Sequence, residues 1–249
     1  MAAYTFMLYH GRIPTGCWEK IYFFLWWRYH YQDKNFEADL PHLLYSVARN
    51  LWLERGLYSA HAACVGNKLL PGHSGTGKSS TALALATTWG QRIYSGNTTL
   101  LDFSAEEPVR AIAGTKVMTL NSSDFDETTT PVQSIFSYGN RIAFELEDSL
   151  MTEEAEIAVN GIILVKLTSG SPSVKQLEPT AALHALYGHL LDVEYADCIL
   201  ANGKIVYAVN SSTKARQNLA QKLAASLETT PVHQITGSKE FVASEISHL

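Results

Sequence analysis

The sequence predicts an α/β fold in which a mixed sheet carries a glycine-rich loop at the end of a hairpin strand. The first observation is the stretch 72–79, GHSGTGKS, which matches the pattern G-x-x-x-x-G-K-[ST] at every fixed position. The second is the apolar run that ends in Leu69 and Leu70, one residue before this stretch. The third is the alanine-rich run 80–86, which follows the stretch directly and has the composition of a helix.

The segment 1–40 is rich in aromatic residues. Seven of them lie almost side by side: Tyr22, Phe23, Phe24, Trp26, Trp27, Tyr29 and Tyr31. Their β-propensity favours strands, although a short buried helix is an alternative because the apolar residues follow neither period. A surface that stacks on a base or docks a partner is one interpretation. Core filling or a contact within a homo-oligomer is the interpretation that we favour, because aromatic residues usually serve packing.

The elements before the glycine-rich stretch are a helix and a hairpin. Apolar residues recur at helical spacing over 40–55, and Gly56 is a natural C-terminal cap. A strand is predicted for 58–65, followed by the two-residue turn Gly66-Asn67 and a returning strand from Lys68. The loop is therefore expected to follow an antiparallel hairpin rather than a helical crossover.

The elements after the stretch alternate between strands and helices. A helix ends at Gly90, and extended segments are predicted at 92–95, 98–103, 109–113, 115–120, 141–146 and 157–167. The polar stretch 121–130 is expected to be a surface loop. The remaining elements are a helix over 179–191, a hairpin around Asn202-Gly203, a helix over 213–227, a strand over 232–235 and a short terminal helix. No repeat or long linker divides the chain, so one domain over residues 1–249 is predicted.

The glycine-rich stretch indicates a phosphate-binding loop. Glycines let backbone N–H groups turn towards phosphate oxygens without a clash at Cβ. Lys78 is expected to bring its charge to the β- and γ-phosphates, and the Ser79 hydroxyl is expected to bind Mg²⁺. An ordinary glycine-rich turn is the simpler alternative, which the complete match disfavours. The predicted nucleotide-binding residues are Gly72, His73, Ser74, Gly75, Thr76, Gly77, Lys78, Ser79 and Ser80.

Charge and cysteine content limit the classes of protein to which this chain is expected to belong. A net charge of −5 without a basic run disfavours a broad nucleic-acid-binding surface. The three cysteines are far apart, which is typical of reduced thiols. The chain begins without the pattern of a signal peptide, and its apolar run 21–27 is too short to cross a membrane. We therefore expect a cytoplasmic protein that binds neither nucleic acid nor membranes.

The residues 60–65, the turn, 69–71, the glycine-rich loop and the alanine-rich helix together resemble the catalytic core of the HPr kinase/phosphorylase superfamily. Members of that superfamily use ATP to phosphorylate a serine of a protein or, in short homologues, a peptide hydroxyl. The loop is also similar to that of ATP-dependent phosphoenolpyruvate carboxykinases, through SGTGK at 74–78. The resemblance covers 57–120 clearly and 179–191 weakly. It implies a nucleotide-binding core at 57–120, with the rest of the sheet and the C-terminal helices at 121–249.

The resemblance implies roles for individual residues. Lys78 falls on the phosphate-binding lysine, Ser79 on the metal-binding hydroxyl, and His61 on a histidine near the transferred phosphoryl group. Strand alternation puts His61 on the same face as Ala63 and Val65, towards the loop; a purely structural histidine is the alternative. The predicted catalytic residues are His61 and Lys78, and the implied cofactors are ATP and Mg²⁺.

The sequence departs from the family where a pair of aspartates is expected. In the family, the strand after the loop helix ends in one aspartate that acts as general base and one near the metal. Here that position holds Gly96 and Asn97. Asn97 offers a metal only a neutral oxygen, and the predicted metal-binding residues are Ser79 and Asn97. Three consequences stay open. His61 or His73 acts as the base, the acidic stretch with Asp124, Asp126 and Glu127 folds over the site, or the protein binds a nucleotide without turnover.

The predicted function is that of an ATP-dependent, HPr kinase-like enzyme that phosphorylates a hydroxyl of a peptide, protein or small molecule. The alternative is a degenerate nucleotide-binding regulator or scaffold without phosphotransfer, because an intact loop implies phosphate binding but not turnover. A carboxykinase is disfavoured because those chains are much longer. The acceptor, the nucleotide preference and the state of assembly do not follow from the sequence.

Overall fold

The computed structural model describes residues 48, 51–73, 75–103, 108–122, 132–138, 140–191, 198–201, 204–208 and 213–249. The chain divides into two compact units. One comprises Met1–Arg55 and Val193–Ala215, and the other comprises Gly56–Asp192 and Arg216–Leu249. Two compact units can belong to one domain, so the single domain stays a prediction. The aromatic-rich segment 1–40 and the acidic stretch 123–130 lie outside the described residues.

The described residues combine strands with helices. The strands are β1 (Leu57–Ala60), β2 (Ala62–Val65), β3 (Lys68–Pro71), β4 (Ile93–Ser95), β5 (Thr99–Asp102), β6 (Arg110–Gly114), β7 (Val117–Asn121), β8 (Val132–Tyr138), β9 (Arg141–Leu146), β10 (Ile157–Ala158), β11 (Gly161–Leu167), β12 (Ser173–Leu177), β13 (Cys198–Ala201), β14 (Lys204–Ala208) and β15 (Val232–Gly237). The helices are α1 (Lys78–Trp89), α2 (Pro179–Leu191), α3 (Thr213–Ser226) and α4 (Lys239–His248), with a 3₁₀ turn at Asp148–Leu150.

A six-stranded mixed sheet in the second unit has the order β12-β15-β11-β3-β2-β4. Strand β11 is parallel to both β3 and β15, whereas β2 is antiparallel to its neighbours β3 and β4. Strands β3, β4, β11 and β15 therefore run in the same direction, and their carboxyl ends meet at one edge of the sheet. The predicted α/β class, the mixed sheet and the hairpin that leads into the loop are confirmed.

Two predicted strands are wrong because each is divided between two sheets. The extended run 58–65 breaks at His61: β1 pairs with β5 in a four-stranded sheet, and β2 pairs with β3. The run 157–167 breaks in the same way into β10, which pairs with β6, and β11. Most side chains in both runs are apolar, so the sequence shows two long extended runs and gives no sign of the change of partner.

Helices α1 and α4 pack against each other and against the six-stranded sheet. The buried side chains beneath α1 are Ala82, Leu85 and Ala86, and they share one core with Leu70 of β3 and Ile163 of β11. Burial of these apolar groups stabilises the connection between β3 and α1 by about 0.8 kcal/mol for each buried methylene. The core therefore holds both ends of the glycine-rich loop.

Most of the other predicted elements are present. The helices predicted at 80–90, 179–191, 213–227 and the end of the chain are α1 to α4, and residues 48 and 51–54 of the first predicted helix are helical. The strands on either side of Asn202-Gly203 pair as an antiparallel hairpin. Among the described residues, no helix combines the length and the apolar character needed to cross a membrane.

Candidate nucleotide-binding site

The glycine-rich loop leaves the sheet at the carboxyl end of β3 and enters α1 at Lys78. The N–H of Gly72 donates a hydrogen bond to the carbonyl of His61 at 3.3 Å. This bond continues the pairing of β2 with β3 by one step, because Ala62 is the partner of Pro71. The first residue of the loop is therefore held by the hairpin. Ser74 lies outside the described residues.

Two glycines of the loop have left-handed backbone angles. Gly75 has φ 85° and Gly77 has φ 100°, a region that L-residues with a Cβ rarely adopt. Gly77 also lies against β11, where a Cβ would stand 2.2 Å from Cγ of Leu167. No larger residue fits at position 77 unless the side chain of Leu167 moves. The glycine of the motif is thus required by packing as well as by backbone angle.

Thr76 fixes the middle of the loop. Its carbonyl accepts a hydrogen bond from the N–H of Leu167 at 3.1 Å, which ties the loop to the carboxyl end of β11. Its hydroxyl donates to the carbonyl of His73 at 3.1 Å, which closes the loop on itself. The loop is therefore held to two parallel strands of the sheet.

Lys78 is the charged residue at the centre of the loop. Its side chain is only 6% exposed. The ammonium Nζ donates hydrogen bonds to the carbonyls of Gly72 and, at 2.8 Å, of His73. A buried charge needs such partners, and each charge-assisted bond is worth about 1.5–3 kcal/mol. The loop thus curls around a fixed positive charge.

The first turn of α1 is left open to an anion. Gly77 precedes α1 and makes no side-chain capping hydrogen bond, and the first turn carries no acidic residue. Helix α4 begins after β15 at the same edge of the sheet and differs: Ser238 accepts a hydrogen bond from the N–H of Phe241, and Glu240 lies in its first turn. Only α1 of this pair therefore presents the uncompensated positive end of a helix.

Ser79 and Ser80 lie in the first turn of α1 and are partly exposed. The hydroxyl of Ser79 fits as one ligand of a phosphate-bound Mg²⁺, because Mg²⁺ usually keeps several waters and few protein ligands. The described residues contain no group of three or more His, Cys, Asp or Glu side chains that could hold a metal ion.

His61 lies at the break between β1 and β2, with 7% of its surface exposed. It was expected within a continuous strand, and that position is corrected by the change of sheet described above. Its backbone carbonyl holds Gly72, so it contacts the loop through the main chain. A role of its imidazole next to the transferred phosphoryl group stays a prediction.

Gly96 and Asn97 follow β4 at the same edge of the sheet as the loop. A Cβ on Gly96 would stand 2.4 Å from Cγ of Met118 and 2.7 Å from the carbonyl oxygen of Val117. The N–H of Gly96 also donates to the carbonyl of Thr115 at 2.7 Å. The backbone of β7 therefore occupies the space of any side chain at position 96. Asn97, which is partly exposed, is the only one of the two that can present a side chain.

His189, which the sequence analysis missed, lies against the loop. Its ring centroid is 4.4 Å from that of His73, with the ring planes at 57° to each other. His189 belongs to the last turn of α2, far from the loop in sequence. Nothing in its spacing sets it apart from the other residues of that helix, so only the tertiary structure could reveal it.

A separate cleft of about 700 Å³ lies at the opposite end of β3. Lys68 lines this cleft and donates hydrogen bonds to Oδ1 of Asn160 at 2.8 Å and to the carbonyl of Leu249 at 3.3 Å. Burial lowers the pKa of Lys68. Because β3 separates this cleft from the loop, it does not belong to the phosphate-binding site.

Comparison of the sequence with protein-family models and with curated proteins finds no match. The functional assignment therefore rests on the geometry of the loop, on Lys78 and on the open first turn of α1.

Proposed function

We propose that this protein is an ATP-dependent kinase of the HPr kinase-like type that transfers phosphate to a hydroxyl of a peptide, protein or small molecule. The observation that carries nucleotide binding is the buried ammonium of Lys78, held by the carbonyls of Gly72 and His73 at the first turn of α1. A positive charge that the loop already holds in one place suits a phosphate ligand, because positioned charges cost little reorganisation on binding.

The electrostatics of the loop support a polyphosphate ligand. The aligned peptide dipoles of α1 add about half a positive charge at its N-terminus. That charge adds to Lys78, and no carboxylate in the first turn of the helix offsets the two. Backbone N–H groups of a glycine loop provide the hydrogen bonds that phosphate oxygens need.

The proposed reaction follows from these residues. The acceptor oxygen forms a bond to the γ-phosphorus, the bond from that phosphorus to the bridging oxygen breaks, and ADP leaves. The hydroxyl proton needs a base, and His73 is an exposed imidazole on the loop itself. Lys78 stabilises the negative charge on the phosphates during transfer. When bound, Mg²⁺ neutralises further charge, with Ser79 as the residue that fits as its ligand.

A second candidate is a nucleotide-binding regulator or scaffold without phosphotransfer. The observation that favours it is the packing at Gly96, where β7 excludes a side chain. The general base and the metal-side carboxylate of the resembled family are therefore both missing at this point. A positioned base contributes typically about 10²–10⁴-fold in rate, so its loss slows transfer strongly unless another group replaces it.

Mass-spectrometric detection of phosphorylated product tests the reaction. Wild type and Lys78→Ala are incubated with ATP, Mg²⁺ and candidate hydroxyl acceptors, including peptides and proteins encoded next to the gene. Product that forms with wild type and not with Lys78→Ala supports the kinase. Binding of ATP without product from any acceptor contradicts the kinase and leaves the regulator. Absence of both binding and product contradicts both candidates.

A further inference from the structure

The contact between His73 and His189 joins two elements that are distant in sequence. His73 is the second residue of the glycine-rich loop, and His189 lies in the last turn of α2. The two ring centroids are 4.4 Å apart and the ring planes are tilted by 57°. Helix α2 therefore reaches the phosphate-binding loop with a polar side chain.

The main chain of His73 takes part in the hydrogen bonds that hold the loop together. Its carbonyl accepts hydrogen bonds from Nζ of Lys78 at 2.8 Å and from the hydroxyl of Thr76 at 3.1 Å. These bonds hold the backbone of His73 in place, and with it the base of its side chain. The ring of His189, packed on this imidazole, is consequently held next to the same loop.

The exposure of the two imidazoles allows contact with an anionic ligand. His73 is exposed and His189 is partly exposed, so both rings are accessible to a ligand. The helices α1 and α2 contain no acidic residue anywhere along their length. An imidazole carries an N–H donor in both its neutral and its charged form, so each ring can donate to a phosphate oxygen at any pH near neutrality.

We propose that His73 and His189 form an imidazole pair that donates hydrogen bonds to the terminal phosphate of a bound nucleoside triphosphate. This inference rests on the nucleotide-binding part of the proposed function and adds α2 to the site. A contact that serves ring packing alone is the competing explanation, because aromatic pairs contribute about 0.5–1.5 kcal/mol by themselves.

Calorimetric titration with ATP and with ADP separates these explanations. If His189 contacts the terminal phosphate, His189→Ala weakens ATP binding by about tenfold and leaves ADP binding nearly unchanged, since one hydrogen bond to a charged group is lost. His189→Phe keeps a ring but lacks the N–H, so it should weaken ATP binding as much as His189→Ala does. His184→Ala is the matched control, because His184 is an exposed histidine of the same helix, and it should bind both nucleotides as wild type does.

Three results would overturn the proposal. The first is ATP affinity restored to the wild-type value by His189→Phe, which would assign the contact to packing. The second is an equal loss of ATP and ADP affinity in His189→Ala, which would assign the residue to the fold of the loop. The third is wild type that binds neither nucleotide, which would overturn the proposed function as well. In the first two results wild type still binds ATP, so the proposed function survives them.

Discussion

Gly77 lies so close to Leu167 that a Cβ on Gly77 would stand 2.2 Å from Cγ of Leu167. The glycine also has φ 100°, which disfavours other residues whatever the space around them. One position of the motif is thus constrained twice, by the backbone of the loop and by the neighbouring strand. Gly75 shares only the first constraint, because nothing lies within 4 Å of its Cβ position.

This difference predicts unequal effects of two alanine substitutions. Gly77→Ala should lower the free energy of unfolding by roughly 2–5 kcal/mol, through backbone strain together with overpacking against Leu167. Gly75→Ala should lower it by only about 1–2 kcal/mol, through strain alone. Urea denaturation of both variants measures these changes. Equal destabilisation by the two substitutions would show that Leu167 does not constrain the loop.

Substitution of two buried threonines by valine should change the free energy of unfolding in opposite directions. Oγ1 of Thr81 in α1 is buried and has no hydrogen-bond partner among the described residues. Thr81→Val removes this hydroxyl and should raise the free energy of unfolding by up to about 1 kcal/mol. Oγ1 of Thr99 donates to the carbonyl of Ala62 at 3.0 Å and pairs with the hydroxyl of Ser95. Thr99→Val should therefore destabilise the protein by about 1–3 kcal/mol, again measured by urea denaturation. A loss of stability in both variants would contradict the account for Thr81.

Of the two positions in the turn after β4, Asn97 should accept a carboxylate side chain and Gly96 should not. Gly96→Asp should lower the unfolding temperature markedly, because its Cβ meets the backbone carbonyl of Val117 and backbone moves less easily than a side chain. Asn97→Asp should keep the wild-type unfolding temperature, because this residue is partly exposed. If Asn97 faces a metal-bound nucleotide, Asn97→Asp should also increase the Mg²⁺ dependence of ATP binding. Thermal unfolding and calorimetry test the two statements, and normal stability of Gly96→Asp would contradict the packing argument.

The thiol of Cys64 should not react with alkylating reagents in the native protein. It is fully buried in β2, and burial raises its pKa to about 12. The reactive thiolate is the form that burial disfavours, so the thiol stays protonated at pH 8. Alkylation with iodoacetamide, followed by peptide mass spectrometry, should leave Cys64 unmodified until the protein is unfolded in urea. Rapid modification of Cys64 under native conditions would contradict its burial.

The local features of this fold could be predicted from the sequence, whereas the choice of strand partner could not. The hairpin at Gly66-Asn67, the loop and the limits of α1 follow from turn residues and short-range periodicity. The change of sheet at His61 depends on whether β5 or β3 is the available partner, which is a long-range fact. Strands β8 and β12 were also not predicted, and β12 is an edge strand whose side chains are nearly all exposed. An exposed edge strand lacks the alternation that identifies a half-buried one.

The candidate site, like the fold, could be predicted from the sequence only where its residues belong to a short motif. The motif identified Lys78 and Ser79, since their roles are tied to positions in a short pattern. It gave no sign of His189, which reaches the loop from α2, or of Met118 and Val117, which exclude a side chain at Gly96. These relationships are made by tertiary packing, and no sequence spacing encodes them.

Calorimetric titration of wild type and Lys78→Met with ATP tests the central claim most directly. The substitution keeps an apolar stem of similar length and removes the ammonium that the loop holds. The account predicts that wild type binds ATP and that Lys78→Met binds it at least about tenfold more weakly, because a charge-assisted contact to phosphate is lost. Circular dichroism confirms that the variant is folded. Equal affinity of the two folded proteins for ATP would contradict the assignment of this loop as the nucleotide-binding site.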